Sequence, residues 1–190
     1  MERAWYGELI EALNEEFHRL IFIDESSINT DLVLRYGRAP KGERVQGQIP
    51  RNTPPAHSII GALAPEGLIA AMELEGAIDG AAFAVFAREC LVPELRRGDV
   101  VIMDNNSTHF HEEALSAIEA AGAWVMYLPA YSPDLNPIEH CWAKVKHLLR
   151  SAAARTTEAL HRAFRDAIRQ ITPENAKAWF SHCGYQVIPT

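Results

Sequence analysis

The sequence predicts an α/β fold: a mixed five-stranded sheet with helices on both faces, plus an N-terminal helix and a C-terminal helical tail. Three observations predict it. Three β-prone runs stand before residue 75 with no helical pattern between them, so they are placed to pair as hairpins. Two further apolar runs, 99–104 and 124–128, are separated by a helical stretch, which implies parallel strands and a right-handed crossover. The 190 residues, 48% hydrophobic and 23% charged, suffice for one well-buried core and are too few for two comfortable domains.

Each element has its own signal. Residues 2–18 place Trp5, Leu9, Leu13 and Phe17 at i, i+4 steps with acids between, the pattern of an amphipathic helix. Leu20 to Asp24 is a short apolar run closed by an acid, read as a buried strand. Residues 35–55 carry Gly37, Pro40, Gly42, Gly47, Pro50, Pro54 and Pro55 and predict a long loop. The runs His57–Leu63 and Leu68–Leu74 flank Ala64-Pro-Glu-Gly67, a turn signal. Asp79-Gly80 starts a helix through Leu91, and Asp99 to Asp104 is again an apolar run with a terminal acid. Gly122 closes a helix from Glu112, and Trp124–Leu128 is the fifth strand. The proline-rich approach 129–137 leads into a helix whose buried stripe is Ile138, Cys141, Trp142, Val145, Leu148 and Leu149. Helices over Thr157–Ile171 and Pro173–His182 complete the tail. Trp5, Trp124, Trp142 and Trp179 all fall on apolar stripes and are expected in the core.

Composition excludes several classes. The longest strictly apolar run, Ala81–Ala87, is far short of the roughly 20 residues of a membrane helix. Five glutamates in the first twenty residues argue against a signal peptide. Cys90, Cys141 and Cys183 form no Cys-x-x-Cys, against a disulfide framework or zinc knuckle and in keeping with a reducing cytoplasm. The net charge of −7 is unevenly spread: segments 35–51 and 140–170 are locally +4 and +5, and the remainder is −16. Two such segments can grip a phosphate backbone, or they can be solvated faces balancing charge elsewhere.

The carboxylates carry the chemistry. Asp24 and Asp104 close two strands at the same relative place. A buried strand-end carboxylate is costly unless its charge is compensated, and a divalent cation compensates two at once. The third acid, Glu139, lies in the opening turn of a helix prepared by Asn136 as N-cap and Pro137 in the first turn. Its closeness in helical direction to Trp142 predicts that it leans toward the core edge. Three converging carboxylates suit Mg²⁺ or Mn²⁺, and two such ions suit phosphodiester chemistry. Each acid taken singly can equally be a turn or cap residue.

The runs Phe22-Ile-Asp24-Glu-Ser-Ser-Ile-Asn-Thr30, Met103-Asp104-Asn-Asn-Ser-Thr-His109 and Leu128-Pro-Ala-Tyr131-Ser-Pro-Asp-Leu-Asn136-Pro-Ile-Glu139 resemble the catalytic domain of DDE transposases. They are most similar to the insertion-sequence-630 branch of the mariner superfamily, as is the spacing of 34 residues between Asp104 and Glu139. Tyr36–Arg44 and Trp179–Tyr185 look like the same family. The resemblance implies a ribonuclease-H-like fold, with Asp24, Asp104 and Glu139 holding two Mg²⁺ ions, for which Mn²⁺ substitutes. It implies hydrolysis at transposon ends followed by strand transfer into target DNA. It also implies double-stranded DNA as partner, a homodimer on that DNA and a bacterial, nucleoid-associated setting. The sequence departs from the pattern at Ala130, where a second proline is usual, at Asn105–Thr108, and in lacking a helix-turn-helix region that reads transposon ends. Residues 1–19 then read as the remnant of a linker to such a region, supplied by another reading frame, and 20–190 as the catalytic domain with its helical tail.

Other residues are candidates for DNA contact or for support of the carboxylates. His109 is either a site residue or a loop histidine satisfied by backbone. Asn105 and Asn136 can orient carboxylates or water, and Asn136 can equally be a plain cap. Glu25 points to the opposite sheet face from Asp24 and reads as a surface or supporting acid. Lys144, Lys146 and Arg150 can track a phosphate backbone or complement the helix dipole. A competing reading is a catalytically silent truncated transposase acting as a DNA-binding or assembly module. A phosphohydrolase with an aspartate nucleophile is disfavoured, because Ser26 and Asn106 stand where its second aspartate is needed.

Overall fold

A computed structural model describes residues 2–15, 19–32, 40–44 and 57–186. Five strands, β1 (Leu20–Ile28), β2 (His57–Ala64), β3 (Gly67–Glu75), β4 (Val100–Met103) and β5 (Trp124–Tyr127), form one sheet in the order β3-β2-β1-β4-β5. The first three pair antiparallel; β1–β4 and β4–β5 pair parallel. This is the predicted mixed sheet. Most of the long loop predicted over 35–55 lies outside the described residues; within it Lys41 and Arg44 are exposed.

Alternation along the strands sorts the core into two layers. Phe22, Ile28, Ile59, Leu63 and Ile102 face α1 (Glu2–Glu15), α4 (Pro137–Ala152), α5 (Thr157–Ile168) and α6 (Pro173–His182). Ile21, Ile23, Ile60, Val101 and Met103 face α2 (Gly80–Phe86), the π-turn that prolongs it over Ala87–Leu91, and α3 (Glu112–Ala120). Among the described residues no helix is long and apolar enough to cross a membrane.

Two expectations need correction. The N-terminal helix buries the predicted Leu13 with Tyr6 and Ile10, holds Leu9 half-buried against the core and leaves Trp5 exposed, while Phe17 lies outside the described residues. The tyrosine explains the choice: its hydroxyl meets that of Tyr185 at 3.0 Å in the core, a partner an indole at position 5 has no counterpart for. Trp124 is exposed as well, because β5 is an edge strand; Trp142 is buried and Trp179 half-buried against the core. Secondly, β1 does not stop at Asp24. It continues to Ile28 because β2 supplies antiparallel partners as far as the Ile28–His57 pair. Only its parallel pairing with β4 ends before Asp24, after Phe22–Ile102.

One contact fixes how α4 sits on the sheet. Gly61 pairs with Asp24 across β1–β2, and the Trp142 ring of α4 lies over it, so that a Cβ there would stand 2.7 Å from Trp142 Cη2 and 3.1 Å from Leu68 Cδ1. Trp142 is fully buried and cannot retreat. Gly61→Ala is therefore expected to destabilise the protein by about 1–3 kcal/mol through overpacking, measured by urea unfolding. An unchanged midpoint would show that α4 is free to shift.

Candidate active site

The strand register brings the two aspartates together. Phe22 pairs with Ile102, the last parallel pair, so Asp24, two residues further along β1, keeps the Phe22 face, and Asp104 directly follows the end of the neighbouring β4. That face is the one α4 covers, and Glu139 sits in the opening turn of α4. Asp24 is buried, Asp104 is half-exposed and Glu139 is exposed. The expectation that Glu139 leans toward the core edge instead of solvent is thus corrected. Ile138, Cys141 and Trp142 take the inward direction, leaving Glu139 at the rim. Its charge still reaches Asp24. Burial first, then the charges of Glu139, Glu25 and Asp104, together raise the Asp24 carboxyl to about 8. A single backbone hydrogen bond, from the Glu25 N–H at 2.8 Å, opposes it.

His109 is built into this cluster. It is fully buried in the short helical turn after Asp104, with the Phe83 ring beside it at 5.0 Å between centroids. Its Nδ1 faces Asp104 Oδ1 at 2.9 Å and its Nε2 faces Glu25 Oε1 at 2.9 Å. Burial alone would lower the imidazole, but the two carboxylates outweigh it and hold it at about 10, so both nitrogens donate. The same contact, with the Asn106 N–H at 2.9 Å, keeps the Asp104 carboxyl below its ordinary value. Glu25, on the opposite strand face as expected, supports Asp104 through this imidazolium.

The remaining candidates divide. The Asn105 side chain donates to the Leu128 carbonyl at 2.7 Å, tying the loop after β4 to the end of β5. Asn136 occupies the N-cap of α4, yet its side chain makes no cap; its Oδ1 is buried without a hydrogen-bond partner among the described residues. Lys144 is engaged structurally, donating to the Gln170 carbonyl and to Asn175 Oδ1 of α6. Lys146 and Arg150 lie seven and eleven residues after Glu139, on the same helical stripe, half-exposed and with no ion pair among the described residues. Two features have no clear signal in the sequence. Tyr131, in the loop before α4, is fully exposed in the left-handed region at φ 54°. Arg3 of α1 binds Ser132 and Asp134, clasping the same loop.

The donor set fits a divalent cation. Two carboxylates, Asp104 and Glu25, flank the His109 imidazole, and the Asp24 carboxyl is raised by burial and by the charges of Glu139, Glu25 and Asp104; such carboxylate oxygens are the hard ligands that a cation of the Mg²⁺ class takes.

A family model described as DDE superfamily endonuclease matches residues 19–161. Among solved structures, the chain is similar to the Mos1 mariner paired-end complex with Mn, at TM-score 0.72 and 18% identity, over 93% of this chain and 56% of that one. It is similar to the Mos1 transposase catalytic domain with Raltegravir and Mg, at TM-score 0.60 and 16% identity, over 96% and 92%. It is also similar to the Mos1 strand transfer complex, at TM-score 0.62 and 18% identity, over 94% and 60%. No curated protein matches significantly. The chain thus spans little more than half of the transposase chains in the DNA complexes and nearly all of the isolated catalytic domain. The shared fold is the expected ribonuclease-H-like one.

The raised Asp24 carboxyl has a consequence for stability. A group whose pKa is higher folded than unfolded stabilises the fold below its unfolded value, near 4, and that contribution is lost as pH rises through its folded value, about 8. In metal-free protein, Asp24→Asn should therefore raise the thermal midpoint by several degrees at pH 8 and leave it nearly unchanged at pH 4. Equal midpoints at pH 8 would show that Asp24 is not under this electrostatic load.

Proposed function

Because the chain belongs to the DDE superfamily endonucleases, we propose that it is the catalytic domain of a transposase of the insertion-sequence-630 branch, hydrolysing DNA at transposon ends and transferring the freed strand to target DNA. The observation that supports this reading is that the Asp24 carboxyl on β1 feels the charges of Glu139, in the opening turn of α4, and of Asp104, just after the neighbouring β4.

These three side chains would hold two Mg²⁺ ions, or Mn²⁺ in their place. Divalent ions held there supply activation of the attacking oxygen and stabilisation of the leaving one. The chain's own residues prepare the place. Asp24, its carboxyl raised to about 8 mainly by burial, would be one of the groups that hold the ion. His109 fixes the Asp104 carboxylate between Nδ1 and the Asn106 N–H, so that its second oxygen is aimed without a freely rotating torsion. Asn105 holds the loop that carries Asp104 against β5. Lys146 and Arg150 extend from Glu139 along α4 and suit successive phosphates of a DNA backbone leading to the site. Lys144 is not part of that path, since α6 occupies it. The partners are transposon ends and target DNA, engaged by a homodimer at the bacterial nucleoid. We propose α1 as the segment joining this domain to a helix-turn-helix region.

Nicking of supercoiled plasmid by the purified chain in Mg²⁺ or Mn²⁺ tests the reading. Asp24→Asn, Asp104→Asn and Glu139→Gln should each lower it by at least about 10³-fold, the scale of losing a group that acts at the reacting centre. Undiminished nicking in any of them removes that residue from the site. DNA binding without metal-dependent nicking in the unaltered chain would favour the silent binding module instead.

The basic stripe has its own test. Replacing Lys146 and Arg150 with alanine should weaken DNA binding and reduce the slope of log affinity against log salt by about 2, near 0.9 for each phosphate no longer neutralised. Lys144→Ala should leave the slope unchanged and lower the thermal midpoint. A slope that responds only to Lys144 would reverse the assignment.

A further inference from the structure

His57, Glu73 and His161 meet on the sheet face that α5 covers, His57 standing opposite Ile28, four residues along β1 from Asp24. His57 opens β2, Glu73 lies near the end of β3, and His161 is on α5. Their ligand atoms all lie within 4.8 Å of one another. His57 is 3% exposed, and Glu73 is nearly as enclosed. His161 Nδ1 faces Glu73 Oε2 at 2.8 Å, and His57 Nδ1 and Glu73 Oε1 face each other at 3.8 Å, beyond hydrogen-bond reach. Neither has a hydrogen-bond partner among the described residues, and both are sealed from water. Two buried polar atoms aimed at a common point and unsatisfied by protein are costly unless something else occupies that point.

We propose that this triad is a structural site for a divalent transition metal of the zinc class. Two imidazoles and one carboxylate favour zinc over Mg²⁺, which prefers all-oxygen shells. Ligand atoms on one tetrahedral zinc, each about 2.0–2.1 Å from it, stand roughly 3.3 Å apart, so the 3.8 Å gap closes with small side-chain shifts. With its proton on Nε2, His57 offers the Nδ1 lone pair; Glu73 offers Oε1; His161 offers Nδ1. The side chain of His161 is 41% exposed, which leaves a fourth position open to water. The ion would pin α5 to the β2–β3 hairpin, the hairpin that carries Gly61 opposite Asp24. This site is independent of the transposase reading and survives its failure.

The test is calorimetric titration of the metal-free full chain with Zn²⁺, in excess Mg²⁺ so that the carboxylate cluster is not the preferred acceptor, with thermal melting in parallel. One equivalent is expected to bind and to raise the midpoint by about 5 °C at saturation. His161→Ala, at a half-exposed position, should fold normally, weaken Zn²⁺ at least about tenfold and lose the midpoint rise; Glu73→Gln should do the same. Absence of saturable Zn²⁺ binding overturns the proposal. So does Zn²⁺ binding that persists in His161→Ala and disappears in Asp104→Asn, because the ion then sits in the carboxylate cluster.

Discussion

Four carboxylates and one imidazolium crowd the place where the parallel pairing of β1 and β4 ends, and the rest of the structure accommodates that imbalance. Burial above all, with the like charges of Glu139, Glu25 and Asp104 adding to it, raises the Asp24 carboxyl to about 8. The core makes the arrangement unavoidable. Ile21 and Ile23 must face α2 and α3 while Phe22 faces α4, so Asp24 is committed to the α4 face by alternation. A one-residue slip that relieved the repulsion would turn every apolar side chain of β1 to the wrong layer. Hydrophobic register thus enforces an electrostatic load that an apolar core would never choose.

The position of α4 is set from several directions at once. Trp142 seats on Gly61, and the loop before the helix is gripped from both ends of the described chain: Arg3 on Ser132 and Asp134, and the Tyr185 hydroxyl donating to the Leu135 carbonyl at 2.6 Å. Phe22 closes the same region, meeting Tyr185 and Phe180 at 4.9 and 5.3 Å between ring centroids. An acid at the rim needs such fixing more than a buried one does. Its side chain has solvent on one side, and only the helix beneath it limits where its oxygens can go.

Much of this is legible in the sequence because it depends on short-range pattern. The hairpins, the parallel pair and the placement of both aspartates follow from apolar runs and the helices between them. The long run ending in Glu139 is specific enough to imply a family. What escapes depends on partners distant in the chain. Trp5 and Tyr6 are equally apolar by periodicity, and only the hydroxyl of Tyr185, 179 residues away from Tyr6, decides which is buried. Lys144 and Lys146 look alike until α6 presents Asn175 to one of them. His109 has no assignable role in the sequence alone, since its two carboxylates come from different strands. Asn136 illustrates the opposite failure: the cap position is right, but its side chain does not make the bond that capping supposes.

Chemistry and recognition separate cleanly along this chain. Every group proposed to meet the metal or the scissile phosphate comes from residues 24–150, inside one sheet and the helices packed on it. Lys146 and Arg150 can set the direction of a DNA backbone, yet contacts to phosphate carry no sequence information. Within the proposed reading, the cations named so far hold a backbone and read no base. The clasp of Arg3 on Ser132 and Asp134 ties α1 to the loop that sets the start of α4, so the position of Glu139 depends on how α1 is seated.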